Sequence, residues 1–276
     1  MTIRVMTIND LETVLGWAAD EGWNPGLDDA PAFLAADPVG FLVKEIDGEP
    51  VAAISVVNHS SDFAFLGLYI CKPEHRGHGH GMDIWQAGIA HAGARTIGLD
   101  GVPDQQDNYA RSGFEKAGST VRFEGVITAA PDPRIRPATP SELHNLIIRD
   151  SEATGINRSA FSEAWLSQTR NRKTLVLTDG AELNGFATFR RCGHGTKVGP
   201  LQATNKADAL SLIASNPFSE PNEPVYVDVQ DARSLFSQLL EKQDFVPTFE
   251  TARMYKGLRP EAEPTRYQAI ATMELG

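Results

Sequence analysis

Apolar residues dominate the runs "GFLVKEI" and "EPVAAISVV", and Asp47-Gly48 joins the two. Short apolar-rich runs on either side of a turn pair predict strands. Asp-Gly between them predicts a tight hairpin, because glycine accepts the positive φ of the turn. The pattern returns at the same spacing further along, as "KTLVLT" and "AELNGFATFR" about Asp179-Gly180. The register is shared upstream as well. Ile3, Arg4, Thr7 and Leu11 of "IRVMTINDLETVL" match Ile135, Arg136, Thr139 and Leu143 of "IRPATPSELHNLI", 132 residues on. Each of these segments reads as a short strand entering a helix, with Asn9 or Asp10 as the expected cap in the first and Ser141 in the second.

The first half continues with a strand-like run "FAFLGLYIC" and a helix from Gly81 to about Gly93, with Met82, Trp85 and Ile89 on one side at helical spacing. A strand "TIGLDGV" and a short helix ending in "SGF" follow. "AAPDPRIRP" carries three prolines in nine residues, so it continues neither a helix nor a central strand and reads as a linker. The predicted organisation is two related domains of mixed α/β character, 1–130 and 134–276. The second ends in a strand-like extension, "RYQAIATMELG".

Composition narrows the class. A chain of 276 residues with 41% hydrophobic and 22% charged residues reads as globular. No apolar run approaches the roughly 20 residues of a membrane helix, and the acidic N-terminal stretch does not resemble a secretory signal. Cys71 and Cys192 make no disulfide framework, so a cytoplasmic location and bystander thiols are expected. The 36 acids against 25 bases give a net charge of −11, which argues against nucleic-acid binding and agrees weakly with a cationic partner.

One stretch carries candidate chemistry. "PEHRGHGHGMDIW" places Gly77, Gly79 and Gly81 on alternate positions behind Arg76, where a helix is expected to begin. Alternating glycines let backbone N–H groups approach a bulky ligand, and a helix N-terminus adds unpaired donors and a partial positive charge. A phosphate is the fitting ligand. The alternative is a metal on His75, His78 and His80, but no Asp, Cys or fourth His lies nearby at ligand spacing, so no metal is expected.

These residues resemble a known family. "LYICKPEHRGHGHG" is similar to the signature of the GCN5-related N-acetyltransferases, in which a strand leads through Pro into an Arg/Gln-x-x-Gly-x-Gly/Ala loop and a helix. "NYARSGF" lies downstream where that family places a tyrosine four residues before Gly-Phe. With "WAADEGWNPG", the chain resembles a fused two-domain bacterial subgroup. The family often has an Asn seven residues before the tyrosine. Here that position is Val102, and Asn108 directly precedes Tyr109. The second half keeps the rhythm, with Phe245 near the counterpart of Phe114. It reads "GTKVGPLQATNKADALSL" where the loop should fall, without Gly-x-Gly and with Pro200 lacking an N–H.

The resemblance implies an α+β mixed sheet in each of two tandem acetyltransferase-like domains, mostly antiparallel and flanked by helices, with one cofactor site, in the first. It implies acetyl-CoA as co-substrate, a small-molecule or peptide amine as acceptor, and direct attack in a ternary complex. The pyrophosphate would rest on Arg76, Gly77, His78, Gly79, His80, Gly81 and Met82. Tyr69, Ile70 and Cys71 would pair with the pantetheine arm, and Asn108 is the amide available to the cofactor. Tyr109 would protonate the departing thiolate. Glu21 is the first choice of base, with Asp100 and His59 as rivals; Trp23 and Asn24 would contact the acceptor, Trp23 by cation–π contact. The competing function is a regulatory module that binds acyl-CoA without turnover.

Overall fold

A computed structural model describes residues 2–262 and 266–276. Its first helix shows how the repeat is built. Thr7 caps α1 (Ile8–Asp20): its hydroxyl accepts from the Asp10 amide, and the Asp10 carboxylate accepts from the Thr7 amide. Arg4, on strand β1 (Thr2–Val5), donates to Asp10 and to Glu45 on β2 (Phe41–Ile46). The second half repeats this with Arg136, Thr139 and Glu142 ahead of α5 (Leu143–Thr154): Thr139 and Arg136 both donate to the Glu142 carboxylate. The expected caps therefore shift. Thr7 replaces Asn9 and Asp10, and Glu142 stands where Ser141 was expected. The carboxylate three residues on reaches back to the threonine amide, a reciprocal arrangement that a single polar residue does not reveal.

The hairpins form about both Asp-Gly pairs. β2 pairs with β3 (Glu49–Asn58), and β8 (Arg172–Asp179) with β9 (Glu182–Arg191), both antiparallel. β4 (Phe63–Cys71), β5 (Thr96–Gly101) and β6 (Glu115–Gly125) complete the first set of strands. The second set comprises β7 (Ile135–Pro137), β10 (Thr196–Ala203), β11 (Val225–Gln230) and β12 (Val246–Lys256), besides β8 and β9. A last strand, β13 (Tyr267–Ala269), lies in the expected extension.

Among the described residues thirteen strands join one sheet, ordered β1-β2-β3-β4-β5-β12-β6-β11-β10-β9-β8-β7, with β13 beside β10. The order shows an exchange. β12, the counterpart of β6, lies against β5 of the first half, while β6 lies against β11 of the second. β6 and β12 pair with each other antiparallel, Thr120 opposite Thr251. The two halves share a hydrogen-bonded seam and each is completed by the other's last long strand.

Helices cover both faces. α1, α2 (Asp29–Ala36) and α6 (Ser159–Leu166) bury Leu11, Phe33, Phe161 and Trp165 against Leu68 and Ile70. On the opposite face α3 (His80–Ala92) buries Ile84, Trp85, Gly88 and Ala92 against Ile54, Val56 and Leu66. The apolar stripe of α3 is rotated from the one expected: Met82 is exposed and Ile84 is inside. Among the described residues no helix is long and apolar enough to cross a membrane.

Candidate active site

Strand β4 is irregular where it matters. Its pairing with β3 shifts register between Ile70 and Gly67, and Leu68 takes a φ of 45°. A positive φ is costly for a branched side chain and marks a bulge. β4 pairs in parallel with β5 only from Phe63 to Leu66. Past that point the two strands part, and the edge of β4 from Gly67 to Cys71 is left without a strand partner on that side. Tyr69, Ile70 and Cys71 lie on this free edge.

After β4 the chain makes one 3-10 turn, Pro73–His75, and enters the glycine loop. The glycines serve different ends. Gly77 and Gly79 have φ of +79° and +85°, with open space where a Cβ would stand. Gly81 lies under Tyr69, whose hydroxyl would be 2.8 Å from an added Cβ. The first α3 hydrogen bond runs from the Asp83 amide to the Gly79 carbonyl, 3.1 Å. The amides of His80, Gly81 and Met82 thus precede the helical ladder and are free for a ligand. Lys44, buried on β2, pairs with Asp83 and so neutralises the acid in the first turn. The rings of His75 and His78 each stand 6.1 Å from that of His80. Burial and the nearby positive charge of Lys44 hold the His80 imidazole below its ordinary range. Among the described residues no group of three or more His, Cys, Asp or Glu has a geometry that could hold a metal.

Tyr109 lies on α4 (Gln106–Arg111), in a row of rings: it stacks on Trp85 at 5.5 Å, and Trp85 meets Tyr69 at 5.4 Å. Gly101 makes room for it; a Cβ there would stand 2.9 Å from the Tyr109 ring. Burial raises the phenol's pKa well above its usual value, and Tyr69 adds in the same direction, so the hydroxyl keeps its proton. Tyr109, Tyr69, Leu66 and Leu99 line a cavity of ≈ 60 Å³ in the gap between β4 and β5. Trp23 lines it as well.

A larger cavity, ≈ 1070 Å³, opens beside it between α1, α2 and the seam strands. Glu21 and Asn24 line it. Arg122 of β6 and Phe249 of β12 line both cavities and connect them. Arg122 makes a two-pronged buried ion pair with Asp228, 2.7 and 2.9 Å, and donates to the Trp23 carbonyl at 3.0 Å. The fully buried Lys197 donates to the same carbonyl at 2.7 Å. Its pKa is lowered by burial first and by Arg122 next.

Two models of the Acetyltransferase (GNAT) family match the chain, one over residues 8–114 and the other over residues 147–268. A holothin acyltransferase from a Pseudoalteromonas strain is 33% identical over 279 aligned positions, covering all of this chain and 94% of the relative. The chain belongs to the GNAT family. It is an acyltransferase. Solved structures share the fold: a Pyrococcus horikoshii protein provisionally assigned as an acetyltransferase superposes with a TM-score of 0.81 at 21% identity, covering 100% of this chain and 95% of that one. A tandem GNAT protein of the clavulanic acid pathway superposes at 0.61 with 14% identity, covering 92% and 97%.

The remaining candidates of this GNAT protein fall as follows. Arg76 is half exposed, donates to the Cys71 carbonyl at 2.9 Å, and pairs with Glu21 at 2.6 Å. This pair ties the glycine loop to the turn after α1. Glu21 stands at the larger cavity and does not line the smaller. Asn24, at φ 52°, exchanges two hydrogen bonds with the backbone of His194 across the halves. Asn108 is exposed and engaged with Gln105 and Arg111; Val102 and Gln105 line the small cavity instead. Asp100 is held by both prongs of Arg253 and by Thr120. His59 is partly buried, and burial, with the Arg158 charge, pushes its pKa down to about 4. Burial raises the Cys71 thiol, and more deeply buried Cys192 moves the same way.

Sequence reasoning missed Arg122, Asp228, Phe249, Met273 and Glu274. No local motif surrounds them. Arg122, Phe249, Met273 and Glu274 reach the cavities, and Asp228 reaches Arg122, only because strands are exchanged and because segment 270–276 folds back. That segment also explains the second half. β10 and β11 pair in parallel only from Thr196 to Val198, so they part just as β4 and β5 do. Here the gap is filled: β13 pairs with β10, and the Ile270 amide donates to the Asp228 carbonyl at 2.9 Å. A Cβ on Gly199 would collide with the Ile270 carbonyl.

Proposed function

We propose that this acyltransferase moves an acetyl group from acetyl-CoA to a primary amine by direct attack in a ternary complex. One cofactor site, in residues 1–130, serves the reaction, and residues 134–276 shape the acceptor side. The observation that supports the reading is the small cavity, which a buried, protonated phenol lines together with Gly67, Leu68 and Tyr69 of β4. The residues present fit acetyl-CoA. The free amides at the start of α3 and the open faces of Gly77 and Gly79 suit a pyrophosphate, with Arg76 beside them. The free edge of Tyr69, Ile70 and Cys71 suits an amide-bearing arm.

Acetyl-CoA supplies the activated acyl group. The chain's own residues orient it and manage the protons. A backbone N–H on the bulged edge polarises the thioester carbonyl, and Tyr109 protonates the sulfur as it departs. Glu21 and Asn24, at the larger cavity, meet the acceptor, and Trp23, which lines the smaller cavity, contacts it through its ring. Glu21 takes up the acceptor's positive charge at the rim, where its partner Arg76 must be shared with the cofactor.

The test is thiol release from acetyl-CoA by the full chain against a panel of primary amines. Holothin, the compound in the name of the Pseudoalteromonas relative, belongs in that panel as well. Amine-dependent thiol release is expected. Tight acetyl-CoA binding with no turnover for any acceptor would favour the regulatory module.

A further inference from the structure

We propose that Glu274 is the base that receives the amine's proton, an assignment that rests on the acetyl-transfer reading above. After β13 the chain leaves the gap it fills in the second half and crosses to β4 of the first. It is fixed from many sides. Arg190 donates to the Ala271 carbonyl at 3.2 Å, and the Gly276 amide to the Thr272 carbonyl at 2.9 Å. His59 meets the Leu275 carbonyl at 2.9 Å, and Arg158 holds the Gly276 carbonyl. The backbone of Glu274 passes so close to Gly67 that a Cβ there would strike its carbonyl. A glycine in the middle of a central strand is explained by this approach.

This anchoring puts Met273 and Glu274 on the wall of the small cavity that Tyr109 also lines. Glu274 is 6% exposed, yet among the described residues it forms no salt bridge; its carboxylate accepts from the Thr272 hydroxyl. The neighbouring cations are engaged elsewhere, Arg122 with Asp228 and Lys197 with the Trp23 carbonyl. Burying a carboxylate without an ion-pair partner is costly. One placed on a reaction cavity, within the field of two cations, has the chemistry of a proton acceptor. Tyr69 of β4, Asp100 of β5, Tyr109 of α4 and Arg122 of β6 line the same cavity, and Glu274 acts electrostatically on Arg122 and on Lys197 of β10. Tyr69 and Tyr109 have pKa values raised by burial, and Asp100 is neutralised by Arg253.

The step balances within the cavity. The amine nitrogen forms its bond to the acyl carbon and sheds a proton to Glu274. The carbon–sulfur bond breaks with its electron pair on sulfur, which takes the Tyr109 proton. Return of a proton from Glu274 to Tyr109 through solvent resets the pair.

The experiment compares Glu274→Gln, Glu274→Asp, Glu21→Gln and Tyr109→Phe with the unaltered full chain, using acetyl-CoA and the best amine found. Glu274→Gln is expected to lower kcat by ~100- to 10,000-fold with acetyl-CoA affinity and thermal midpoint kept, and to abolish the acid limb of the kcat/KM profile. Glu274→Asp keeps a carboxylate, so its acid limb should persist at reduced kcat, a reading that stands if the Gln variant fails to fold. Glu21→Gln should raise KM for the amine and leave the acid limb in place. If the limb vanishes in Glu21→Gln instead, or survives unchanged in Glu274→Gln, the assignment is overturned. Where the unaltered chain turns over and Tyr109→Phe does not, such a result sinks only the role of Glu274. No turnover by the unaltered chain with any acceptor sinks both.

Discussion

Tyr109 shows how packing can prepare a proton donor. Its ring stacks on Trp85, and burial keeps the phenol protonated well past neutrality. Replacing it with Phe retains the ring and removes the proton. The expected loss in kcat is ~100- to 10,000-fold with acetyl-CoA affinity nearly unchanged, since general acid catalysis has that magnitude. The loss should shrink as pH rises past the thiol pKa, where sulfur leaves without help; steady-state profiles of both proteins check this. His59 is the second residue whose environment is diagnostic. Its Nε2 carries the proton donated to Leu275, and its pKa falls from 6.5 to about 4, burial being the main cause. The unfolded chain therefore binds this proton first, so the contribution of His59 is complete above pH 6.5 and is lost as pH falls toward 4. The loss is on the order of 3 kcal/mol by the linkage relation. His80, lowered in the same direction, adds to it. Glu142, held down to about 2 chiefly by Arg136, contributes above its ordinary value of 4.5 and loses that contribution only below it. Denaturant midpoints across pH 7 to about 4.5 should thus fall, and less steeply for His59→Asn. An unchanged slope would mean that His59 is solvated in the native state.

At the scale of the element, the start of α3 unites three requirements that one short sequence must meet. Gly79 caps the helix in a left-handed conformation, Gly81 passes under Tyr69, and Lys44 fixes Asp83 in the first turn. Gly79→Val would force a branched residue into φ +85° and fill the open face above the free amides. Acetyl-CoA binding, measured by titration, should be lost. Gly48→Val is the matched control, because Gly48 has a φ of +86° and open surroundings but sits in a hairpin turn away from the loop. It should show comparable strain in its thermal midpoint and intact binding. Equal binding by both variants would refute the loop assignment.

At the scale of the whole molecule, the two halves share an architecture but differ in what fills the gap between their parting strands. In the first half the gap holds the small cavity; in the second it holds β13 and Ile270. One acetyl-CoA per chain is therefore expected by calorimetric titration, with a rise in thermal midpoint governed by mass action. Two equal sites would mean that β13 can be displaced. The exchange of β6 and β12 couples the halves more tightly than a linker does, since each completes the other's sheet.

Features local in the chain were legible in the sequence. The Asp-Gly hairpins, the glycine loop and the tyrosine four residues before Gly113 all depend on backbone chemistry over a few residues, and the 132-residue repeat exposed the doubled architecture; of the proline-rich stretch read as a linker, Ile135–Pro137 instead forms edge strand β7. Helix caps and the apolar face of α3 were misread by a residue or two, because a reciprocal cap and a sheet contact depend on partners. Met82 matched the helical period, but Ile54 and Val56 of β3 dictated which side went in. The strand exchange, the Arg122–Asp228 pair and the approach of Glu274 to Gly67 join residues more than a hundred positions apart. No periodicity or spacing encodes such contacts. They arise when two similar sheets find it more favourable to close on each other than to leave two edges unpaired, and that choice belongs to the tertiary structure alone.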